Sequence, residues 1–339
     1  MTTVSIRGVS VKFPFTPYEI QKNYMEKVID CLENQQNGIL ESPTGTGKTL
    51  SLLCSSLAWL EMRQTQFDEQ LPNHDVSSEK LNSIERDNYE CIKVPTIIYA
   101  SRTHSQLRQA MQEMKRTAYN HMKACVLGSR EQMCINQEVI DEKDKSHKIN
   151  LCRLKVKKKQ CTYFNGVERG LENPDILTLN IIDMEDIVEL GRCHDFCPYY
   201  MAKELKLNAD IVFMPYNYLL DPRTTKTLGV QFLNSVVILD EAHNIEKVCE
   251  DATSAQIKST DITPCIQDIT AIIDVLLGGH VPVDEEIDFT LQQLRQLNEI
   301  FFKFKKVLAH IKLPNLSLEG VSFDGDYIYE ILDAAGVLI

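Results

Sequence analysis

The chain has 339 residues, enough for two or three compact units that each bury a core. Its 43% apolar and 25% charged content is that of a globular protein, and no apolar run approaches the roughly 20 residues that cross a bilayer. A net charge of −12 excludes a uniformly basic nucleic-acid binder, so phosphate contacts would have to come from local clusters. Arg153, Lys155, Lys157, Lys158 and Lys159 form one such cluster, and Arg102 and Arg108 flank another polar segment. Met1 to Phe13 alternates apolar and polar residues instead of presenting a basic stretch before an apolar block, so no secretory signal is expected. An intracellular chain with eleven cysteines, an odd number, points to buried thiols and metal ligation in place of a disulfide framework.

In chain order, Val4 to Val11 alternates like a half-exposed strand, and Pro14 and Pro17 precede a helix over Glu19 to Leu32 that ends at Asn37 and Gly38. Gly38 to Leu40 reads as a short buried strand and Ser42 to Gly47 as a loop. Lys48 to Met62 reads as a helix with Leu52, Leu53, Leu57 and Leu60 inward. Gln64 to Lys93 is polar and aperiodic, as an exposed insertion is. Thr96 to Ala100, Ala124 to Leu127, Asp210 to Met214 and Ser235 to Leu239 are short apolar runs separated by polar or helical segments. That is the pattern of an α/β fold with a parallel sheet. A cysteine-bearing, lysine-rich insertion lies between Cys134 and Cys197, and after Glu250 helices are expected over Gln267 to Leu277 and Thr290 to Ile311.

Ser42-Pro43-Thr44-Gly45-Thr46-Gly47-Lys48-Thr49 lies between the expected strand and helix, the context of a phosphate-binding loop, although Ser42 stands where the general pattern has its first glycine. The glycines let backbone N–H groups turn toward phosphate oxygens at the positive end of a helix. Lys48 is placed to reach the β and γ phosphates of ATP, and Thr49 to put its hydroxyl on Mg²⁺. Val236 to Leu239 ends in Asp240-Glu241-Ala242-His243, where Asp240 would hold Mg²⁺ and Glu241 would orient and deprotonate the attacking water. His243 is a candidate coupler of the nucleotide site to DNA, or simply a hydrogen-bonded histidine.

The loop and the acidic box together resemble superfamily 2 helicases, whose first motor domain is a RecA-like P-loop fold. By that resemblance Phe13 to Gln21 is the adenine-contacting segment, with Gln21 bonding the base and Tyr18 available to stack on it. Cys134, Cys152, Cys161 and Cys197 are separated by 17, 8 and 35 residues, without the short knuckle spacing of structural zinc sites, although long loops can still converge on zinc. Four thiols inserted at this place resemble the XPD, FancJ and DinG group, in which they ligate a [4Fe-4S] cluster. The flanks Gly128 to Cys134 and Cys197-Pro198-Tyr199-Tyr200 carry the match, with Cys193 a rival for the fourth place.

Tyr99 to Gln106 and Met214 to Asp221 each follow a strand and would leave the same edge of the sheet. In the resembling group they face single-stranded DNA, with Arg102, Thr103 and His104 suited to the backbone and Tyr216 or Tyr218 to stacking a base. The resemblance implies motor domain 1 over 1–127 and 201–250, an iron-sulfur insertion over 128–200 and the start of a helical arch over 251–339. Gly38 to Leu53, Ser101 to Leu107 and Phe213 to Asp221 are most similar to the telomere-maintaining branch, which implies 5′→3′ unwinding of forked DNA, recombination control and a nuclear setting. No second motor domain and no Gln-x-x-Gly-Arg-x-x-Arg box are present in the sequence. The expectation is therefore an ATP-binding half that does not unwind alone, or a non-motor product that binds DNA or partners.

Overall fold

The computed structural model describes residues 1–70, 94–229, 232–278, 289–311 and 321–337. Where one strand was expected over Val4 to Val11 there is a hairpin, β1 (Thr2–Ile6) pairing antiparallel with β2 (Val9–Phe13). The reversal falls on Arg7 and Gly8, with φ of 50° and 85°, a two-residue turn that preserves alternation across it and so hides from a periodicity reading. Helix α1 (Glu19–Glu33) buries Gln21, Met25, Val28 and Ile29, a single stripe at helical spacing. Helix α2 (Lys48–Gln70) starts where expected and runs past Met62 into the segment read as an insertion, of which residues 71–93 lie outside the described residues.

The sheet has five parallel strands: β3 (Thr96–Ser101), β4 (Ala124–Val126), β5 (Ile181–Ile182), β6 (Ile211–Pro215) and β7 (Ser235–Leu239), in the order β5-β4-β6-β3-β7. Every residue of β6 and all but Thr96 of β3 are buried, as in a sheet covered on both faces. Ser101 lies opposite Pro215 and Ala100 opposite Leu239, so the carboxyl ends of β6, β3 and β7 stand side by side. Helix α3 (His104–Lys115) follows β3, with Thr103 as N-cap. Gly38 to Leu40 does not form the expected strand: the segment is irregular, Ile39 is fully exposed, and β7 remains an edge with Val237 and Leu239 exposed. A three-residue run pinned by backbone bonding at one end (Gln36 N–H to the Cys31 carbonyl, 2.9 Å) and by the phosphate loop at the other has too few ladder bonds to offset its ordering.

The insertion contains α4 (Lys145–Lys157), α5 (Met184–Cys193) and α6 (Pro198–Leu205) among shorter turns. Its Val167, Ile176, Ile187, Phe196 and Tyr199 join the same apolar core as the sheet. Lys115 of α3 bridges Asp183 (3.0 Å) and Asp186 (2.9 Å) at the start of α5. Met1–Thr253, ending in α7 (Ile245–Thr253), is one compact unit and Ser254–Ile339 a second. The second unit comprises α8 (Ser259–Leu277), α9 (Leu291–His310) and α10 (Tyr327–Ala334), with Ile269, Ile273 and Leu294 at its centre. Thr290 starts α9 by accepting from the Gln293 N–H (3.2 Å), while the Gln293 side chain accepts from the Thr290 N–H (2.7 Å), a reciprocal cap.

Two core thiols set a pH limit on stability. Burial pushes Cys54 of α2 and Cys125 of β4 up from 9.0 to about 12. Below pH 9 both folded and unfolded chains keep these protons, so the contribution is fully present; above it the unfolded chain releases them first and stability falls toward pH 12. The expected slope is on the order of 1 kcal/mol per pH unit per thiol. Urea midpoints should hold from pH 7 to 8.5 and drop by pH 10, and replacing both thiols with alanine should flatten the drop.

Candidate functional site

The phosphate loop is shaped by its own bonds. Gly45 and Gly47 have φ of +79° and +75°, conformations glycine adopts freely. The Ser42 and Thr46 hydroxyls are 2.7 Å apart, the Thr46 hydroxyl donates to the Pro43 carbonyl (2.9 Å), and the Lys48 ammonium donates to the Ser42 carbonyl (3.1 Å). Lys48 thereby closes the loop over the start of α2, ready to exchange a carbonyl for phosphate oxygens. Gln21 also holds the loop itself. Its side chain is buried, its Nε2 donates to the Thr46 carbonyl (3.0 Å) and its Oε1 accepts from the Tyr18 N–H (3.0 Å). Gln21 therefore braces the loop with one N–H and one lone pair of its amide, and the second of each is left for a base. Tyr18 is exposed and free to stack.

The acidic pair sits at the carboxyl end of β7, beside the ends of β3 and β6. The Asp240 N–H donates to the Ala100 carbonyl (2.9 Å), and its Oδ2 accepts from the Tyr99 hydroxyl (2.8 Å). Burial raises the Asp240 carboxyl above the ordinary range and Glu241 adds to the effect, whereas the Tyr99 bond and Lys48 oppose it. A half-buried carboxylate beside another acid is a setting a divalent cation would stabilise. Glu241 has φ of 56°, a left-handed conformation uncommon outside glycine and a form of strain that collects at functional turns. Burial raises Tyr216, and Asp240 and Glu241 add to it; its buried hydroxyl has no partner among the described residues. The residues present therefore fit Mg²⁺ and a triphosphate: a cradle of left-handed glycines, a lysine, a hydroxyl and a half-buried acid converge.

The two loops read as DNA-facing divide. Arg102 is exposed and donates to Asn244 Oδ1 (3.2 Å), and the Asn244 amide in turn lies 3.0 Å from His243 Nε2 and 3.2 Å from the Glu241 carbonyl. His243 Nδ1 is 3.4 Å from the Glu241 carboxylate, so a polar chain connects Arg102 to the acidic pair, and sequence reasoning did not identify Asn244 as its middle. The Thr103 hydroxyl caps α3 by accepting from the Gln106 N–H (3.3 Å). His104 is half-buried, which lowers its pKa, and its ring meets Tyr218 edge-on at 6.5 Å. Tyr216 and Tyr218 are both buried, which corrects the expectation of base stacking: β6 turns directly into the helical turn Asn217–Leu220, and both rings pack inward. In the lysine run, Lys155 is paired with Glu138, while Lys157 and Lys159 are exposed.

Cys134, Cys152, Cys161 and Cys197 line one cavity, closed further by Val139, Tyr163, Phe164 and Tyr200. Cys193, the rival for the fourth place, is exposed and lies outside it. Backbone N–H groups of Tyr199 and Tyr200 point at the Cys197 sulfur from the first turn of α6, and that of Asn136 at Cys134, donors that favour thiolate. Burial outweighs them and pushes the Cys197 thiol up to about 12, so ligation would have to displace its proton. Among the described residues no three Cys, His, Asp or Glu side chains form a group able to hold a metal ion. Arg130 is the residue the sequence left without a role. Its guanidinium stacks 4.3 Å from the Tyr199 ring centre, and its charge acts on Cys152 to favour the thiolate, placing a cation at the cavity.

Comparison with known proteins places these sites in a family. The DEAD_2 family model matches residues 99–262, and the model of the RTEL1 helicase ARCH domain matches residues 264–338. The chain is 46% identical over 348 residues to the regulator of telomere elongation helicase 1 homolog of Drosophila melanogaster, covering 97% of this chain and 35% of that protein. To the Aedes aegypti homolog it is 43% identical over 363 residues, covering 99% of this chain and 36% of that one. It thus spans about a third of the length of the curated relatives it matches. Two solved structures are similar in outline: a truncated XPD (TM-score 0.46, 17% identity, 92% of this chain and 73% of that one) and an XPD helicase (TM-score 0.49, 18% identity, 94% and 46%). With two adjoining domain models and this identity along nearly its whole length, the chain belongs to the RTEL1 helicase family, of whose curated members it spans about a third.

Proposed function

We propose that this chain is the ATP-binding half of an iron-sulfur DNA helicase that moves 5′→3′, acts in telomere maintenance and recombination control, and works in the nucleus. The observation that carries the reading is the meeting of Lys48 and Thr49 with Asp240 and Glu241 at the carboxyl edge of the sheet. ATP would lie with its phosphates on the glycine loop, Lys48 would exchange its bond to the Ser42 carbonyl for phosphate oxygens, and Tyr18 would cover the base. Mg²⁺, held by Thr49 and Asp240, would offset the phosphate charge. Glu241 would hold and deprotonate the attacking water, its carboxylate steadied by His243. The direct test is titration of the purified chain with a fluorescent ATP analogue in Mg²⁺. Saturable binding without strand separation of a forked duplex is expected, and absence of nucleotide binding would defeat the reading.

The four-thiol cavity supports the cluster. Cys134, Cys152, Cys161 and Cys197 line it together, and their thiolates would hold the irons of such a cluster. For DNA, Arg102 is an exposed cation just beyond the carboxyl end of β3. Arg102→Ala should weaken single-strand binding uniformly across sequences and reduce the salt dependence by about one counterion. Fluorescence anisotropy at several salt concentrations measures this, and an unchanged slope would remove Arg102 from the DNA track.

A further inference from the structure

The side chain that organises the candidate Mg²⁺ site belongs to neither the phosphate loop nor the acidic box. Tyr99 lies on β3, directly opposite Ile238 of β7, so its side chain and that of Asp240, two residues beyond Ile238, share one face of the sheet. The ring is fully buried and packs on Phe213 of the neighbouring β6, with centroids 5.2 Å apart. The hydroxyl at its tip donates to Asp240 Oδ2 at 2.8 Å, and the Thr49 side chain at the start of α2 acts on the same hydroxyl. The two residues read as Mg²⁺ ligands are thus joined by one phenol. A phenol has one proton to give; given to Asp240, it leaves the oxygen to accept from the Thr49 hydroxyl. That arrangement turns the lone pairs of Thr49 away from Tyr99 and occupies only one of the two Asp240 oxygens.

We propose that Tyr99 is a positioning residue that sets the rotamers of Thr49 and Asp240 for Mg²⁺ bound with the nucleotide. The inference rests on the nucleotide-site reading above. A buried tyrosine serving packing alone would need no particular acceptor. This one has a carboxylate and a hydroxyl from two different segments, and its backbone neighbour Ala100 anchors the Asp240 N–H at 2.9 Å, so β3 fixes both the main chain and the side chain of the acid. Phenylalanine at 99 would keep the ring on Phe213 and the strand ladder, and would remove only the link.

The test uses the full chain and a fluorescent ATP analogue, with affinity measured in Mg²⁺ and again in excess EDTA. Tyr99→Phe should reduce by about tenfold the gain in affinity that Mg²⁺ confers, the effect of losing one hydrogen bond to a charged acceptor, and leave the EDTA affinity unchanged. Asp240→Asn should also reduce the gain, and adding Tyr99→Phe to Asp240→Asn should reduce it no further, because the phenol acts through the acid. Near-UV circular dichroism and the melting temperature check that the fold is retained. A Mg²⁺ gain unchanged in Tyr99→Phe, equal losses with and without Mg²⁺, or additive effects of the two substitutions would each overturn the proposal. An unaltered chain that binds no nucleotide would overturn the nucleotide-site reading and this inference with it.

Discussion

Lys48→Ala should lower Mg·ATP affinity by about tenfold to a hundredfold, the range for removing a hydrogen-bonded cation from a charged ligand. In the free chain the ammonium donates to the Ser42 carbonyl at 3.1 Å, a part-buried bond whose loss changes stability little. With ATP bound the same group would face phosphate, and alanine leaves that charge uncompensated. Gly47→Ala should give a similar loss by another route. A Cβ there would lie 2.8 Å from Gln21 Nε2 on a backbone with φ of +75°, straining the loop and displacing the amide that holds the Thr46 carbonyl. The two variants separate on heating: Lys48→Ala should melt near the unaltered chain, and Gly47→Ala several degrees lower. Fluorescent-nucleotide titration and thermal unfolding read both, and a Lys48→Ala chain with unaltered affinity would exclude Lys48 as the phosphate contact.

The parts of this site legible in the sequence are those where local chemistry dictates local geometry. Left-handed glycines, a lysine at the start of a helix and an acid at the end of an apolar strand have few structural solutions, and Gly45, Gly47, Lys48 and Asp240 fall where such solutions put them. Four of the five strands of the sheet read from their apolar runs; β3 and β6 do so because a doubly covered strand has no polar face to confuse the pattern. Contacts between distant segments were not legible. Nothing in the spacing reveals that the Gln21 amide would be taken up by Thr46 and the Tyr18 N–H, or that the Tyr99 hydroxyl would reach Asp240 across 141 positions. Tyr216 and Tyr218 misled because an aromatic in a polar loop reads as a stacking surface. Only the direction in which the chain leaves β6 decides that they point inward. The β1–β2 hairpin was hidden because a two-residue turn preserves the period of the strands it joins.

In a Cys197→Ser chain purified without oxygen, iron and sulfide should fall far below the about four of each per chain that a [4Fe-4S] cluster carries, and the visible absorption band should be lost. Serine keeps the size of the side chain but is a hard oxygen donor, poorly matched to iron that thiolate binds. Cys193→Ser is the control, since its thiol is exposed and outside the cavity, and it should retain iron and colour. Stability should follow iron. Helix α4 buries none of its residues, so the segment between Cys134 and Cys161 has little apolar packing to hold it, and bonds from Cys152 to a cluster would tie it to Cys134, Cys161 and Cys197. Limited proteolysis should accordingly cut Cys197→Ser within 135–160 while sparing Cys193→Ser. Arg130, stacked on Tyr199 of α6, should hold that wall of the cavity even without iron, so cleavage is expected in α4 and not in α6. Equal iron loss in both variants would reassign the fourth ligand, and an unaltered chain that is colourless and loaded with zinc would replace the cluster with a mononuclear site.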